Sequence, residues 1–304
     1  MRSSKAGVSV MGRTVRIGAV AALMAVPALA GAAAGASPAA AATGASQVSL
    51  GDSYVAGPLI TPQDPTSLGC LRSLVNYPHL EAQQKGYVLT DVSCSGATTD
   101  DMFAPQTGYD GKAVPPQLDA LTPATKVVTL GIGGNDIGFT SIIENCIAYT
   151  PTGPSRSGTQ NCKDFYTAGG SDQLAQRISA TSPKVVEVLQ AIHSRSKDAK
   201  VYVVGYPAIL PENGACWPIL PLTVPDTSYL GTVEQKLNAM LATAATNNGA
   251  TFVKTYPSTI GHDACKLPGV RFVEPLVPVG DAAPVHPNRF GEAALATIVT
   301  DAIR

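Results

Sequence analysis

The chain has 304 residues, a formal net charge of −1, and 14% charged against 45% hydrophobic side chains. That length suits one large domain or two small ones. Its 21 basic and 22 acidic residues are nearly balanced, and no basic cluster follows the first turns of sequence, which excludes a nucleic-acid partner on charge grounds.

The N-terminus is set aside before the fold is read. Arg2, Lys5, Arg13 and Arg16 form a positive region, residues 17–36 are almost entirely apolar and small, and Ala39 to Ala42 offer an A-x-A cleavage site. This is the pattern of a secretory signal peptide over residues 1–42, with a mature chain of residues 43–304 in one domain. No later stretch is apolar and long enough to span a bilayer, so a secreted, extracellular, soluble protein is expected. Six cysteines follow, at 70, 94, 146, 162, 216 and 265. An even count in an exported chain favours disulfides, six cysteines allow fifteen pairings, and sequence alone does not choose among them. No CxxC pair and no neighbouring histidine suggests zinc, so no metal or cofactor is expected.

In chain order, residues 48–50 read as a first strand. Residues 71–84 read as a helix that Pro78 should kink or bound. Residues 87–92 and the very apolar 126–132 read as strands two and three, and residues 137–147 as a helix. Residues 173–194 carry Leu174, Ile178, Val185, Val188, Leu189 and Ile192 at helical spacing. Residues 200–205 are a fourth strand, 229–246 a helix, 251–253 a fifth strand and 288–303 a closing helix. Alternating strands and helices, with apolar runs in the strands, predict an α/β fold around a parallel sheet covered on both faces. Active sites of such sheets gather at the carboxyl ends of the strands. Long loops at 105–121, 149–170, 210–228 and 257–287 interrupt the pattern, and the cysteines fall in or near them, which fits stapling.

Four short blocks fall on that rim. Gly51-Asp52-Ser53-Tyr54 follows the first strand, and Ser95-Gly96 the second. Gly133-Gly134-Asn135-Asp136 follows the third, and His286-Pro287 precedes the last helix. Singly, each is an ordinary turn or cap residue. Together they supply a serine hydroxyl, a histidine and backbone and amide N–H donors, the parts that acyl transfer needs.

In that order and placement the blocks resemble the SGNH (GDSL-type) hydrolases over essentially the whole mature chain. The surroundings of Arg72-Ser73 and Asn76-Tyr77-Pro78 are similar to the secreted bacterial lipase and esterase branch. The resemblance implies a three-layer α/β/α sandwich on a central, mostly parallel five-stranded sheet, a flavodoxin-like hydrolase fold. It implies Ser53 as nucleophile, His286 as base, and Ser53, Gly96 and Asn135 as the oxyanion hole. It also implies disulfides between consecutive cysteines: Cys70–Cys94, Cys146–Cys162 and Cys216–Cys265. The family usually places an aspartate three residues before the histidine, where this chain has Ala283. The expectation is therefore that the Ala283 carbonyl orients His286, with Asp281 as the alternative. The implied activity is hydrolysis of acyl esters as a lipase or esterase. A phospholipase and a carbohydrate acetyl esterase are alternatives on the same fold, and a binding protein on a decayed hydrolase scaffold is the non-enzyme alternative. Leu59, Ile60, Phe139, Trp217, Ile219 and Leu220 are candidates for an acyl groove. The expected partners are a small-molecule or lipid ester and a transient lipid interface, with the chain a monomer.

Overall fold

In a computed structural model of the chain, residues 44–148, 161–277 and 280–303 are described; the expected leader and the start of the second long loop lie outside them. β1 (Ser46–Gly51) runs through Asp52 into α1 (Ser53–Ala56), a single turn. α2 (Tyr77–Lys85) begins six residues after the expected position 71, because Asn76 caps it and Pro78 occupies its first turn. The N–H that proline lacks would be unpaired there in any case, so Pro78 starts this helix and does not kink it.

β2 (Val88–Asp91) is followed by a long loop. That loop contains a small hairpin, β3 (Gln106–Thr107) and β4 (Ala113–Val114), which the sequence pattern did not disclose. Two-residue strands are too short to show a periodicity. β5 (Val127–Gly131), α3 (Phe139–Ala148), α4 (Cys162–Thr167), α5 (Gln173–Arg195) and β6 (Lys200–Val204) follow. α6 (Val224–Asn247) starts ahead of the expected residue 229, since Thr223 caps it through Asp226 N and a proline sits in its first turn. β7 (Thr251–Val253), α7 (Thr255–Thr259) and α8 (Arg289–Ala302) complete the chain.

The sheet order is β2-β1-β5-β6-β7 and every pairing is parallel. Val127, Tyr202, Val204 and Val253 pack with Tyr77, Leu295 and Val299 from α2 and α8. Val48, Leu50, Val128, Leu130, Val201 and Val203 face the other way, onto Val185, Val188, Leu189, Val233 and Leu241 of α5 and α6. Neighbouring residues of one strand thus serve opposite layers, so the strands read as unbroken apolar runs. Each fully buried Leu, Ile or Val contributes roughly 1.5–3 kcal/mol. The layers are the α/β/α sandwich expected. Disulfides join Cys70 to Cys94, Cys146 to Cys162 and Cys216 to Cys265, and none of the six cysteines is free. No described helix is long and apolar enough to cross a membrane.

Gly51 pairs with Gly131, so β1 and β5 end side by side. The loops that follow them open on one rim, beside those after β2 and β6.

Candidate active site

Ser53 is held by what precedes it. Gln117 brackets Gly51, its Oε1 accepting from Gly51 N at 2.7 Å and its Nε2 donating to Gly51 O at 2.9 Å. Asp52 N then donates to Gly131 O at 3.0 Å, and Asp52 Oδ1 accepts from Tyr54 N at 2.9 Å, capping α1. Ser53 is thereby fixed as the first residue of a turn whose other members are buried.

Asp52 is itself buried. Its Oδ2 accepts from Tyr206 Oη at 2.5 Å, and that hydroxyl accepts from Gly134 N at 2.7 Å. Burial pushes the Asp52 carboxyl up to about 7, against the pull of the Tyr206 and Tyr54 hydrogen bonds. Tyr206 stands two residues beyond the end of β6, and Asn238 of α6 bonds both its backbone N and O, at 2.8 and 3.0 Å. A Cβ on Gly134 would lie 2.9 Å from the Tyr206 oxygen, so only glycine lets the backbone come this close. This chain from Asp52 through Tyr206 to Gly134 ties the first block to the third.

The second block is tied in as well. Gly96 has a φ of +84° with open space around it, so its requirement is the left-handed backbone. Asn135 Nδ2 donates to Ala97 O at 2.9 Å, and Asp136 accepts from both Thr99 N and Thr99 Oγ1. One N–H of the Asn135 amide is used by that bond, which leaves its second donor for a ligand. Among the described residues, no protein acceptor meets the backbone N–H of Ser53 or Gly96.

His286 comes from the loop before α8. Its Nε2 lies 2.8 Å from Ser53 Oγ and its Nδ1 2.8 Å from the carbonyl oxygen of Pro284. A carbonyl only accepts, so Nδ1 carries the proton and Nε2 is free to accept from Ser53. The surrounding protein lowers the imidazole pKa by desolvation, partly offset by the Pro284 carbonyl.

This corrects the expectation at position 283. The Ala283 carbonyl accepts the backbone N–H of His286 at 3.2 Å and does not reach the ring. The reason lies at Val285, whose φ is +61°. That left-handed twist turns the peptide between 284 and 285 so that the Pro284 oxygen faces the imidazole. Asp281 is no alternative in this geometry, since its Oδ2 pairs with Arg289 Nε at 2.6 Å.

The conformation of Val285 is held from three sides. Tyr54 Oη donates to Val285 O at 2.6 Å, Val285 N donates to Glu274 O at 3.1 Å, and Glu274 N donates to His286 O at 2.9 Å. Arg271 and Asn288 hold the Glu274 carboxylate, at 2.6 and 3.0 Å. The Tyr54 ring also lies 5.0 Å from the His286 ring, centroid to centroid.

Ser53, Asn135 and His286 therefore line one small depression, with Asp52, Tyr54, Phe139 and Tyr206. Gly96 lies next to it, one residue before the carbonyl that Asn135 grips. Gly134, Phe139 and Tyr206 also wall a narrow apolar cleft between α3 and α6, among Ile142, Leu230 and Val233. Of the six apolar candidates for a groove, only Phe139 lines this cleft. Ile60 and Leu220 are buried elsewhere in the core, and Leu59 and Trp217 are exposed on outer loops. Among the described residues no group of three metal-ligating side chains comes together.

Sequence reasoning passed over Tyr206, Tyr54 Oη, Gln117 and Glu274. Tyr206 had a usable signal, since it follows a central strand at the same rim as the other blocks. Gln117 and Glu274 sit in long loops, and nothing local marks them.

A model of the "GDSL-like Lipase/Acylhydrolase family" matches residues 49–294. "Lipase 2" of Streptomyces coelicolor is 41% identical over 260 residues, covering 84% of this chain and 85% of that protein. "Lipase" of Streptomyces rimosus is 30% identical over 252 residues, covering 82% and 85%. Among solved structures, the extracellular lipase of Streptomyces rimosus superposes with a TM-score of 0.65 at 26% identity, covering 85% of this chain and 99% of that one. Phospholipase A1 of Streptomyces albidoflavus NA297 has the same fold, with a TM-score of 0.66 at 24% identity and the same coverage. With its blocks in order on one rim and a family match across nearly all of the described chain, this protein belongs to the GDSL-like lipase/acylhydrolase family.

Proposed function

We propose that the protein is a secreted lipase or esterase that cleaves acyl esters through an acyl-enzyme formed on Ser53. The observation that carries this is the pair of 2.8 Å contacts of His286, Nε2 to Ser53 Oγ and Nδ1 to Pro284 O. A free serine hydroxyl is a poor nucleophile, and an imidazole in this tautomer is placed to take its proton. Ser53 Oγ adds to the ester carbonyl carbon while the proton passes to His286 Nε2. Negative charge grows on the carbonyl oxygen, facing Ser53 N–H, Gly96 N–H and the second N–H of Asn135. One such donor is worth roughly 10²–10³ in rate. The carbon–oxygen bond to the alcohol then breaks as His286 returns the proton to the departing oxygen. Water repeats the sequence on the acyl-serine, with His286 again as base.

Pro284 O holds the tautomer and orientation that an aspartate holds in a triad, with a dipole in place of a full charge. The apolar cleft beside Phe139 suits the hydrocarbon chain of the acid. Export is supported by the apolar leader in the sequence, by three disulfides, and by the extracellular lipase among the similar structures.

A fluorophosphonate probe tests the centre. Wild-type protein should label on one serine, Ser53→Ala should not label, and His286→Ala should label at least about 10²-fold more slowly. A p-nitrophenyl ester series tests the substrate class. kcat/KM is expected to rise from acetate to medium chains, and a maximum at acetate with strong release from acetylated xylan would overturn the acyl-chain reading.

A further inference from the structure

Asn135 supplies a side-chain donor where Ser53 and Gly96 supply backbone ones, and a side chain must be held at both ends to point one way. Its tip is fixed by Nδ2, which donates to Ala97 O at 2.9 Å. Its root is fixed through the backbone around it. The carbonyls of Gly133, Gly134 and Asn135 accept from the N–H groups of Ile137, Phe139 and Gly138, at 3.3, 3.0 and 2.9 Å. Those partners are near neighbours in the chain and move with the same loop. The Gly134 N–H donates instead to Tyr206 Oη at 2.7 Å, across 72 residues of sequence. Of these backbone anchors, only Tyr206 ties the root of Asn135 to another part of the fold.

The anchor is itself rigid. A phenol hydroxyl has one proton to give. An N–H only donates, so the Tyr206 oxygen accepts from Gly134, and its single proton goes to Asp52 Oδ2 at 2.5 Å. Asp52 thereby sets the direction in which the hydroxyl presents its lone pair. The ring has no freedom to slide, since Asn238 bonds Tyr206 N and O, the Tyr54 ring meets it edge-on at 5.1 Å, and the residue is buried. Tyr206 lines the same depression as Ser53, Asn135 and His286. With its proton committed to Asp52 it has none to offer a substrate, so any part it plays in the chemistry is played through Gly134 and Asn135.

We propose that Tyr206 is a positioning residue of the oxyanion hole: its hydroxyl fixes the Gly134 peptide, and through it aims the second N–H of Asn135 at the place where the ester carbonyl oxygen takes up charge. The proposal rests on the ester-hydrolase reading above. A donor already set at that place needs no reorganisation as the charge develops, whereas a donor free to swing loses much of its worth. Tyr206→Phe keeps the ring and removes only the anchor. Because Asp52 also adjoins Ser53, the test has to separate an effect on Asn135 from an effect on the serine.

A double-mutant cycle on the hydrolysis of p-nitrophenyl octanoate makes that separation. Tyr206→Phe should lower kcat roughly 10- to 100-fold, short of the 10²–10³ for a donor lost outright, with KM held within about twofold. In an Asn135→Ala background no amide is left to aim, so the same change should cost less than about threefold. Tyr54→Phe acts through His286 and is the contrast, with about the same cost in both backgrounds. Gly134→Ala reaches the anchor from the other side, because its Cβ would lie 2.9 Å from the Tyr206 oxygen and 3.1 Å from the ring carbon that bears it. It should reproduce both the loss in kcat and the dependence on Asn135. The proposal is overturned if folded Tyr206→Phe keeps its kcat, if its cost is the same with and without the Asn135 amide, or if KM rises and kcat is spared. Should thermal melts show Tyr206→Phe unfolded, Gly134→Ala decides by the same three criteria. Failure of wild type to cleave the octanoate would instead overturn the ester-hydrolase reading beneath it.

Discussion

Val285 holds a φ of +61°, a region that a β-branched residue enters only when its surroundings force it. Here the Tyr54 hydroxyl grips its carbonyl, and the reward of that strain is a Pro284 carbonyl aimed at His286. Tyr54 neighbours Ser53 in the chain, so one short turn carries the serine and also the brace of its histidine. Tyr54→Phe leaves the Val285 oxygen buried without its donor, a cost of about 1–3 kcal/mol. The expected result is a fall in kcat of about tenfold or more with little change in KM, accompanied by a shift of the acid limb of the pH–rate profile; loss of stability with unchanged kinetics would show the bond to be structural only. In wild type that limb should lie below the ordinary imidazole range of about 6.5, because burial lowers the His286 pKa and only the neutral ring can accept the serine proton. Asp281 bonds Arg289 and not His286, so Asp281→Asn should reduce kcat by less than about tenfold. A triad aspartate changed to its amide costs about 10⁴, which makes the two outcomes easy to separate.

At the scale of elements, the site depends on loops that the sheet alone does not hold. The Gly96 loop is tied at one end by the Cys70–Cys94 disulfide, next to which Ser95 N donates to Cys70 O at 3.1 Å. At the other end it is tied by the Asn135 and Asp136 contacts with Ala97 and Thr99. Replacing both Cys70 and Cys94 by alanine should lower stability by roughly 2–4 kcal/mol, as for most native bridges. The same double variant should lower kcat more than it raises KM, because the Gly96 N–H matters most when charge develops on the substrate. Denaturant melts and ester kinetics on one preparation decide it; an undiminished kcat would mean that the Asn135 and Thr99 contacts suffice to hold Gly96.

Across the whole molecule, buried carboxyls recur on both sides of the sheet. Burial raises the pKa of Asp52 to about 7, and those of Glu234 and Glu292 well above the ordinary range. Such a group binds its proton more tightly folded than unfolded. Its stabilising share is therefore complete below about pH 4 and is lost as the pH climbs through the folded value. For Asp52 the window runs from about pH 4 to about pH 7. Asp52→Asn removes this one titration while the other groups stay. Measured as thermal midpoints, the variant should gain on wild type between pH 4.5 and pH 8; a difference that stays constant or moves the other way would place the carboxyl in its ionised form throughout.

The sequence by itself determined the order and type of the main elements, because apolar runs of five or more residues and a long helical periodicity are local signals that burial on both faces of a sheet preserves. It determined as well that Ser53, Gly96 and Asn135 end on one rim, since a parallel sheet puts the carboxyl ends of its strands together; His286 follows no strand, and only its place in the order of the blocks pointed there. The hairpin at 106–114 stayed hidden because its strands are two residues each, and the extents of α2 and α6 were set by the caps Asn76 and Thr223 more than by periodicity. Only the tertiary structure decided which carbonyl faces His286. Counting positions assumes regular backbone, and the left-handed turn at Val285 exists because Tyr54, distant by most of the chain, and Glu274 hold it there. Only the tertiary structure, too, set an apolar cleft beside Ser53, since its walls are drawn from α3, the loop after β6 and α6, which share no stretch of sequence.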